Sequence, residues 1–357
     1  IFKQVVLLLS EEGLVSLKEV FTDGTKIESI AGRYTFVWSN AIKTRKEKMA
    51  EQLEQMWNYA QSIAEEEDSD PTPPEFKTID RDKIEKTAKK IEEIISKNPQ
   101  ASTKAKAKLR YIQKNFSQNL DKYEEQEKLL DGRGSYSKTD PDATFMRMKD
   151  DHMQNGQLKP AYNVQVSSQS QFVIHYTLHQ TTNDLNTLKP HLNTFEELYQ
   201  FLPEELTADA GYGSEENYDF LEEKNIETFV KYNTFNKEQG ILKSKRKKIN
   251  EDFHRDKLYY NEEKDQYNCP MGQPMNKITN RNRKTKSGYA QTSSLYQAQN
   301  CNGCPLRGAC HKAQGNRIIE RNQNLERHKE RVRENLLSEI GEIKRKQRTA
   351  DVEPVFA

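Results

Sequence analysis

Asp23 and Asp209 each close a short apolar run, and each is followed by a small residue, Gly24 and Ala210. Aspartates at the ends of neighbouring strands offer hard oxygens to hard cations, and two Mg²⁺ ions about 4 Å apart stabilise both the attacking and the leaving oxygen at a phosphodiester. Taken singly, such an aspartate is more often a turn or cap residue. Softer donors come later. Cys269, Cys301, Cys304 and Cys310 follow a C-x31-C-x2-C-x5-C spacing. The Cys301-Asn302-Gly303-Cys304 loop can put two thiolates on one ion, and four thiolates suit a closed, structural Zn²⁺ site. The competing reading is free buried thiols, and His311, next to Cys310, can replace it as a ligand. Positive charge gathers in three runs. The first centres on Lys245, Arg246, Lys247 and Lys248, the second on Arg281, Arg283 and Lys284, and the third, Lys344–Arg348, includes Arg345 and Arg348. Such runs neutralise DNA phosphates, although each alone is more often solvated surface. Tyr259, Tyr260, Tyr267, Tyr289 and Tyr296 are interleaved with the first two.

These groups need elements to hold them. Residues 1–12 predict a short helix ending at Gly13, and Leu17, Val20 and Phe21 a strand ending at Asp23. Charged helical patterns follow over Lys43–Glu67, Asp80–Ser96 and Ala101–Leu130, the first broken by Pro71, Pro73 and Pro74. Tyr162–Val166 and Phe172–Leu178 alternate and read as an antiparallel hairpin around a Ser-Ser-Gln-Ser turn. Asn183 or Asp184 caps a helix containing Leu188, Leu192 and Phe195, Leu206–Ala208 is a strand ending at Asp209, Ser214 caps a helix to about Lys224, and Ile226–Tyr232 is a further strand. The order is β, helical insertion, ββ, α, β, α, β. Residues 233–316 show no long periodicity. Leu325, Val332, Leu336, Ile340 and Ile343 mark one last long helix, and Thr349 or Asp351 caps a new helix whose first turn holds Glu353 and Pro354.

Of the 357 residues, 34% are hydrophobic and 31% charged, so much of the chain faces water. A net charge of +1 places any case for nucleic acid in local clusters. There is no apolar run long enough for a membrane span and no signal peptide at Ile1–Leu9, and cysteines confined to one stretch fit a reducing cytoplasm. The seven histidines include no H-E-x-x-H, and no glycine pattern forms a P-loop, which argues against a metalloprotease and an ATPase. Asp151, His152, Lys159 and Tyr162 precede the hairpin and are weaker cleft candidates.

Three segments, Phe21–Glu28, Ala208–Ser214 and Asp351–Phe356, resemble the catalytic motifs of DDE-type bacterial insertion-sequence transposases. Arg33–Trp38, Thr139–Ala143, Asn155–Asn163 and Lys231–Phe235 resemble the same group. The resemblance implies an α/β fold with an RNase H-like mixed sheet, a helical insertion after the first strand and a cysteine-bearing insertion before the last catalytic helix. It implies Asp23, Asp209 and Glu353 as ligands of two Mg²⁺ or Mn²⁺ ions that serve DNA cleavage and strand transfer. The partners would be double-stranded DNA, as element ends and target, and a second copy in a homodimer on paired ends, in a bacterial cytoplasm and on the nucleoid when DNA-bound. The expected parts are 1–39 with the first helix and catalytic strand, 40–138 the charged helical insertion, 139–235 the core, 236–316 the basic zinc-binding insertion, and 317–357 the C-terminal helices. Arg348 lies five residues before Glu353, which departs from the Tyr-x2-Arg-x3-Glu-x6-Lys signature of related transposases, and the signature's lysine falls beyond Ala357. The expectation is therefore a copy incomplete at both ends, with Glu353 on a frayed turn and weak activity. A catalytically inactive DNA-binding remnant is the alternative, and a charged-helix scaffold with a zinc knob the third reading.

Overall fold

Segments of apolar period two alternate with segments of period 3.6 along this chain, and the computed structural model describes what they become over residues 1–64, 74–99, 101–148, 156–240 and 253–356. In chain order the elements begin with α1 (Phe2–Glu11), β1 (Glu19–Glu28), β2 (Phe36–Trp38), α2 (Ser39–Ile63), α3 (Arg81–Lys97), α4 (Thr103–Leu130), β3 (Ser135–Ser137) and β4 (Thr144–Arg147). Next come β5 (Leu158–Gln169), β6 (Phe172–His179), α5 (Leu188–Tyr199), β7 (Glu205–Ala208), α6 (Glu215–Glu223), β8 (Glu227–Val230) and α7 (Phe235–Glu238). The last are β9 (Tyr260–Asn261), β10 (Gln266–Asn268), β11 (Pro274–Lys284), β12 (Ala290–Ala298), α8 (Arg307–Cys310), β13 (Ile318–Arg321), α9 (Gln323–Leu337) and α10 (Glu339–Val352). The chain divides into two units, one of Ile1–Thr25, Val164–His179 and Asn183–Ala357, the other of Lys26–Asn163 and Gln180–Thr182.

In the first unit the strands follow the order β6-β5-β1-β7-β8, with β1 parallel to β7 and β7 parallel to β8. Val20, Leu206, Ala208, Phe229 and Val230 are buried and pack with Leu188, Leu192 and Phe195 of α5 and with Val332 and Leu336 of α9. The hairpin forms, but its turn is Ser170-Gln171, both with positive φ as a two-residue hairpin loop requires. The preceding serines are strand. Ser167 is buried and shares hydrogen bonds with Thr22 Oγ1 and His191 Nε2, each 2.8 Å, and the other ring nitrogen of His191 meets Thr177 Oγ1 at 2.7 Å. Buried polar groups that satisfy one another are stable inside a sheet, which a polarity pattern alone cannot show.

Three other expectations about this unit are corrected. β1 does not stop at Asp23 but runs to Glu28. Residues 260–321 contain an antiparallel sheet in the order β13-β12-β11-β10-β9. It escapes periodicity because β11 is exposed on both faces beyond Met275. The single last helix is two: Ser338 ends α9 and caps α10 by accepting a hydrogen bond from Gly341 N, which leaves Ile340 and Ile343 exposed.

The second unit contains the charged helices, with Asp80 capping α3 and Ser102 capping α4. Leu53, Trp57, Ile84, Ile91, Ile112 and Phe116 are buried there, so the charged faces cover a real helical core. β2 pairs with β3, and β4 with the first residues of β5. No described helix is long and apolar enough to cross a membrane.

Candidate active site and metal centres

Parallel pairing matches Glu19 with Glu205, Phe21 with Thr207 and Thr22 with Ala208. The register ends at that pair, and Asp23 and Asp209 are the residues that follow it on the two chain segments. Residues two apart on a strand share a face, so Glu19, Phe21 and Asp23 line up, as do Glu205 and Thr207. Cations on α10 meet the carboxylates. Lys344 is buried and pairs with Glu19 at 2.6 Å and with Glu205, and one turn on, Arg348 Nη2 donates to Asp23 Oδ2 at 2.8 Å. Lys231, just after β8, completes the group. Its ammonium is pushed below its usual range by burial, then by the charges of Arg348 and Arg345, against the pull of Asp209.

The third basic run is engaged within the protein. Lys344 and Arg348 turn inward to carboxylates, and Arg345 lies over the Phe235 ring and pairs with Glu342 at 3.9 Å. Arg348→Ala should lower stability by about 3 kcal/mol in chelator, because each partner is only 18% exposed and the change strands a carboxylate among others. Added Mg²⁺ should recover part of the loss. Urea unfolding with and without Mg²⁺ measures both, and a loss below ~1 kcal/mol would make the pair an ordinary surface contact.

A third carboxylate enters from the turn before α5. Asp184 begins a single 3-10 turn, while Asn183 supplies the cap by accepting from Leu185 N. A Cβ on Gly24 would lie 3.2 Å from Asp184 Oδ1 and 2.7 Å from Gln165 Nε2, and one on Gly211 would lie 3.5 Å from Asp184 Oδ2 and 2.9 Å from Asp209 Oδ1. Glycines here let Asp184 close in on the backbone next to both strand aspartates. Gln165 Nε2 donates to Asp184 at 3.4 Å, and the fully buried Tyr212 donates its phenol to Gln165 Oε1. Burial first, then Asp184, Asp23 and Asp209, hold the Tyr212 phenol well above its ordinary proton affinity, against Arg348. Hard carboxylate oxygens are the donors that Mg²⁺ or Mn²⁺ takes.

Glu353 is placed otherwise than expected. It is the C-cap of α10 and the first residue of a short 3-10 turn, Glu353–Phe356, instead of opening a new α-helix, Thr349 and Asp351 lie inside α10, and its side chain is exposed. At ~100° per residue it lies roughly 140° round the axis from Arg348, the residue that reaches Asp23. Asp351, by contrast, is buried and accepts from Gln171 N at 3.1 Å.

Of the basic candidates, Arg281 and Arg283 both pair with Glu320, at 3.2 and 2.9 Å, and stay more than half exposed on β11 with Lys284. Lys245, Arg246, Lys247 and Lys248, like Asp151 and His152, lie outside the described residues. Tyr260 of β9, Tyr267 of β10 and Tyr296 of β12 pack ring against ring, tilted or edge to face, Tyr289 bonds to Asp219, and Tyr259 is exposed.

Cys269, Cys301, Cys304 and Cys310 are free thiols lining one small cavity with His311. Gly272 and Gly303 adopt positive φ, which turns the chain tightly after Cys269 and between Cys301 and Cys304. Arg317 Nη1 donates to Cys310 Sγ at 2.8 Å. Both ring nitrogens of His311 are buried without a hydrogen-bond partner. Such an orphaned pair beside four thiols fits a soft, tetrahedral ion.

Among the described residues, Asp219, Glu222 and His328 bring one donor atom each within 4.8 Å of one another, a spacing that neither the aspartates nor the cysteines reach as a trio. Those groups are already engaged. Asp219 bonds to Tyr289, Asn324 and His328, and Glu222 pairs with Arg327 and Arg331, which ties α6 to α9 and to the tip of β12.

No curated protein and no solved structure matches the chain. Residues 268–357 match the family model of the transposase DDE domain. That stretch covers the cysteines, α9, α10 and Glu353, not Asp23 or Asp209, and the match supports a DDE transposase.

Proposed function

We propose that the protein is an insertion-sequence transposase that cuts DNA strands and joins them to a target, with Asp23 and Asp209 as the carboxylates that hold divalent cations. The parallel register of β1 and β7 carries the reading, since its last pair is Thr22 and Ala208 and the two aspartates follow directly. Bound there, Mg²⁺ or Mn²⁺ would stabilise the attacking and leaving oxygens of an in-line phosphodiester displacement. Asp23 and Asp209 would bind the cations, and Lys231 and Arg345 would face the phosphates beside them. The strand order β6-β5-β1-β7-β8 supports an RNase H-like core, with the helical segment 40–138 inserted after the first strand and the cysteine-bearing segment 236–316 before the last helices. Within that segment the cavity of four cysteines and His311 supports a structural Zn²⁺. Exposed Arg281, Arg283 and Lys284 would neutralise phosphates of double-stranded DNA, which a homodimer would hold as paired ends at the nucleoid.

Glu353 belongs to the proposed ligand set on the resemblance alone. Its exposure favours the second reading, a DNA-binding remnant without catalysis. Incubating the protein with duplex DNA under Mg²⁺, Mn²⁺ or chelator separates the two. Nicked or joined products with either metal, and none in chelator, are expected of the enzyme; DNA binding without products under any metal would leave the remnant.

A further inference from the structure

We infer that Asp184 is a metal-binding carboxylate of this site, acting with Asp23 and Asp209. The inference rests on the metal-dependent reading above and adds a residue that no spacing or motif assigned. Asn183 already caps the turn by bonding to Leu185 N, so the carboxylate next to it is not needed for capping. The two oxygens of Asp184 instead approach two backbone positions, one immediately after Asp23 and one two residues after Asp209. Both positions are glycine, and a methyl group at either would press on the carboxylates or on Gln165.

The support beneath Asp184 is built from buried groups. Tyr212 holds Gln165 Oε1, which fixes which end of the amide points at Asp184, so that Nε2 donates to the carboxylate. An amide donor orients a carboxylate without bringing a counter-charge to it.

The test uses Mn²⁺ itself as probe. Binding to the purified protein is measured by electron paramagnetic resonance titration for wild type, Asp184→Asn, Asp184→Cys, Gly24→Ala and Asp209→Asn, with DNA cleavage followed in parallel. Asp184→Asn is expected to weaken Mn²⁺ binding at least tenfold, and Gly24→Ala, which keeps every charge but crowds Gln165 and Asp184, to weaken it severalfold. Asp184→Cys should cleave in Mn²⁺ and fail in Mg²⁺, since a thiolate ligates the softer ion. Mn²⁺ affinity within twofold of wild type for Asp184→Asn and Gly24→Ala, while Asp209→Asn loses binding, overturns the role of Asp184 and spares the site. Unchanged affinity in Asp209→Asn as well overturns the site reading and this inference with it. Should Asp184→Asn fail to fold, the Gly24→Ala titration and the metal preference of Asp184→Cys decide.

Discussion

Asp209→Asn should abolish metal-dependent cleavage and joining while leaving the fold as stable as before or more so. Metal-held charge stabilisation at a transferring phosphate contributes several kcal/mol, which at 1.36 kcal/mol per tenfold is a loss on the order of 10³ or more. The stability half follows from the neighbours. Asp209 accepts a hydrogen bond from Gly211 N at 2.7 Å, which the asparagine oxygen can keep, and the change removes one negative charge from a group of three. Asp23→Asn should lose activity to the same degree but also lose stability, because Arg348 then keeps a poorly exposed guanidinium without its ion pair. Strand-transfer assays on both variants, paired with urea unfolding in chelator, read the two quantities separately. Cleavage by Asp209→Asn within tenfold of wild type would sink the catalytic role, and equal stability changes in the two variants would sink the asymmetric role given to Arg348.

The same asymmetry explains what was legible in the sequence. Asp209 could be read because a short apolar strand announces itself and a carboxylate at its end has a chemical use, whereas Asp23, expected at a strand end, lies inside β1. Their helix partner was legible only in pairs: Glu19 and Asp23, Glu205 and Asp209, and Lys344 and Arg348 are each four residues apart. Two carboxylate pairs on adjacent strands under two cations one helical turn apart is a register signal, and each member taken singly looks like surface charge. Asp184 was hidden by Asn183, since either residue satisfies the capping pattern and only coordinates show that Asn183 does so. The polar turn assigned to Ser167–Ser170 failed for a related reason. Ser167 and His191 are buried because they bond to one another and to Thr22 and Thr177, residues remote in sequence or on other elements. β11 failed in the opposite sense, since a strand exposed on both faces carries no alternation to detect. Glu353 was placed by resemblance, and the helix that precedes it was mistaken for one that follows, because Pro354 fits a first turn and equally fits the residue after a helix end.

Cys301→Ser combined with Cys304→Ser should remove a single equivalent of zinc that survives dialysis in the wild type, and should loosen the chain locally without unfolding the first unit. The reason for loss is donor chemistry: Cys301 and Cys304 flank one tight turn, so the double change removes two of four soft ligands and leaves Cys269, Cys310 and His311 unable to close a tetrahedron by themselves. The reason for local damage is where the remaining stability sits. Tyr267, Met275, Tyr296 and Ile319 form a buried cluster that includes Cys301 at its margin, so β10 to β13 keep an apolar core once the ion has gone. Residues 299–317 have no such core, because their order depends on side-chain bonds such as Cys301 N to Asn316 Oδ1 at 2.9 Å and Arg317 to Cys310. Structural zinc contributes roughly 10–16 kcal/mol of apparent binding in small metal-dependent domains, and here most of that should appear as ordering of this segment. Amide hydrogen exchange should therefore rise over 299–317 in the double variant and in chelated wild type, while β11 and β12 keep their protection where they pair. Metal analysis gives the matching stoichiometry. Zinc retained at one equivalent by the double variant would refute the ligand set, and exchange that rises equally along β12 and β13 would show that the ion supports the whole sheet.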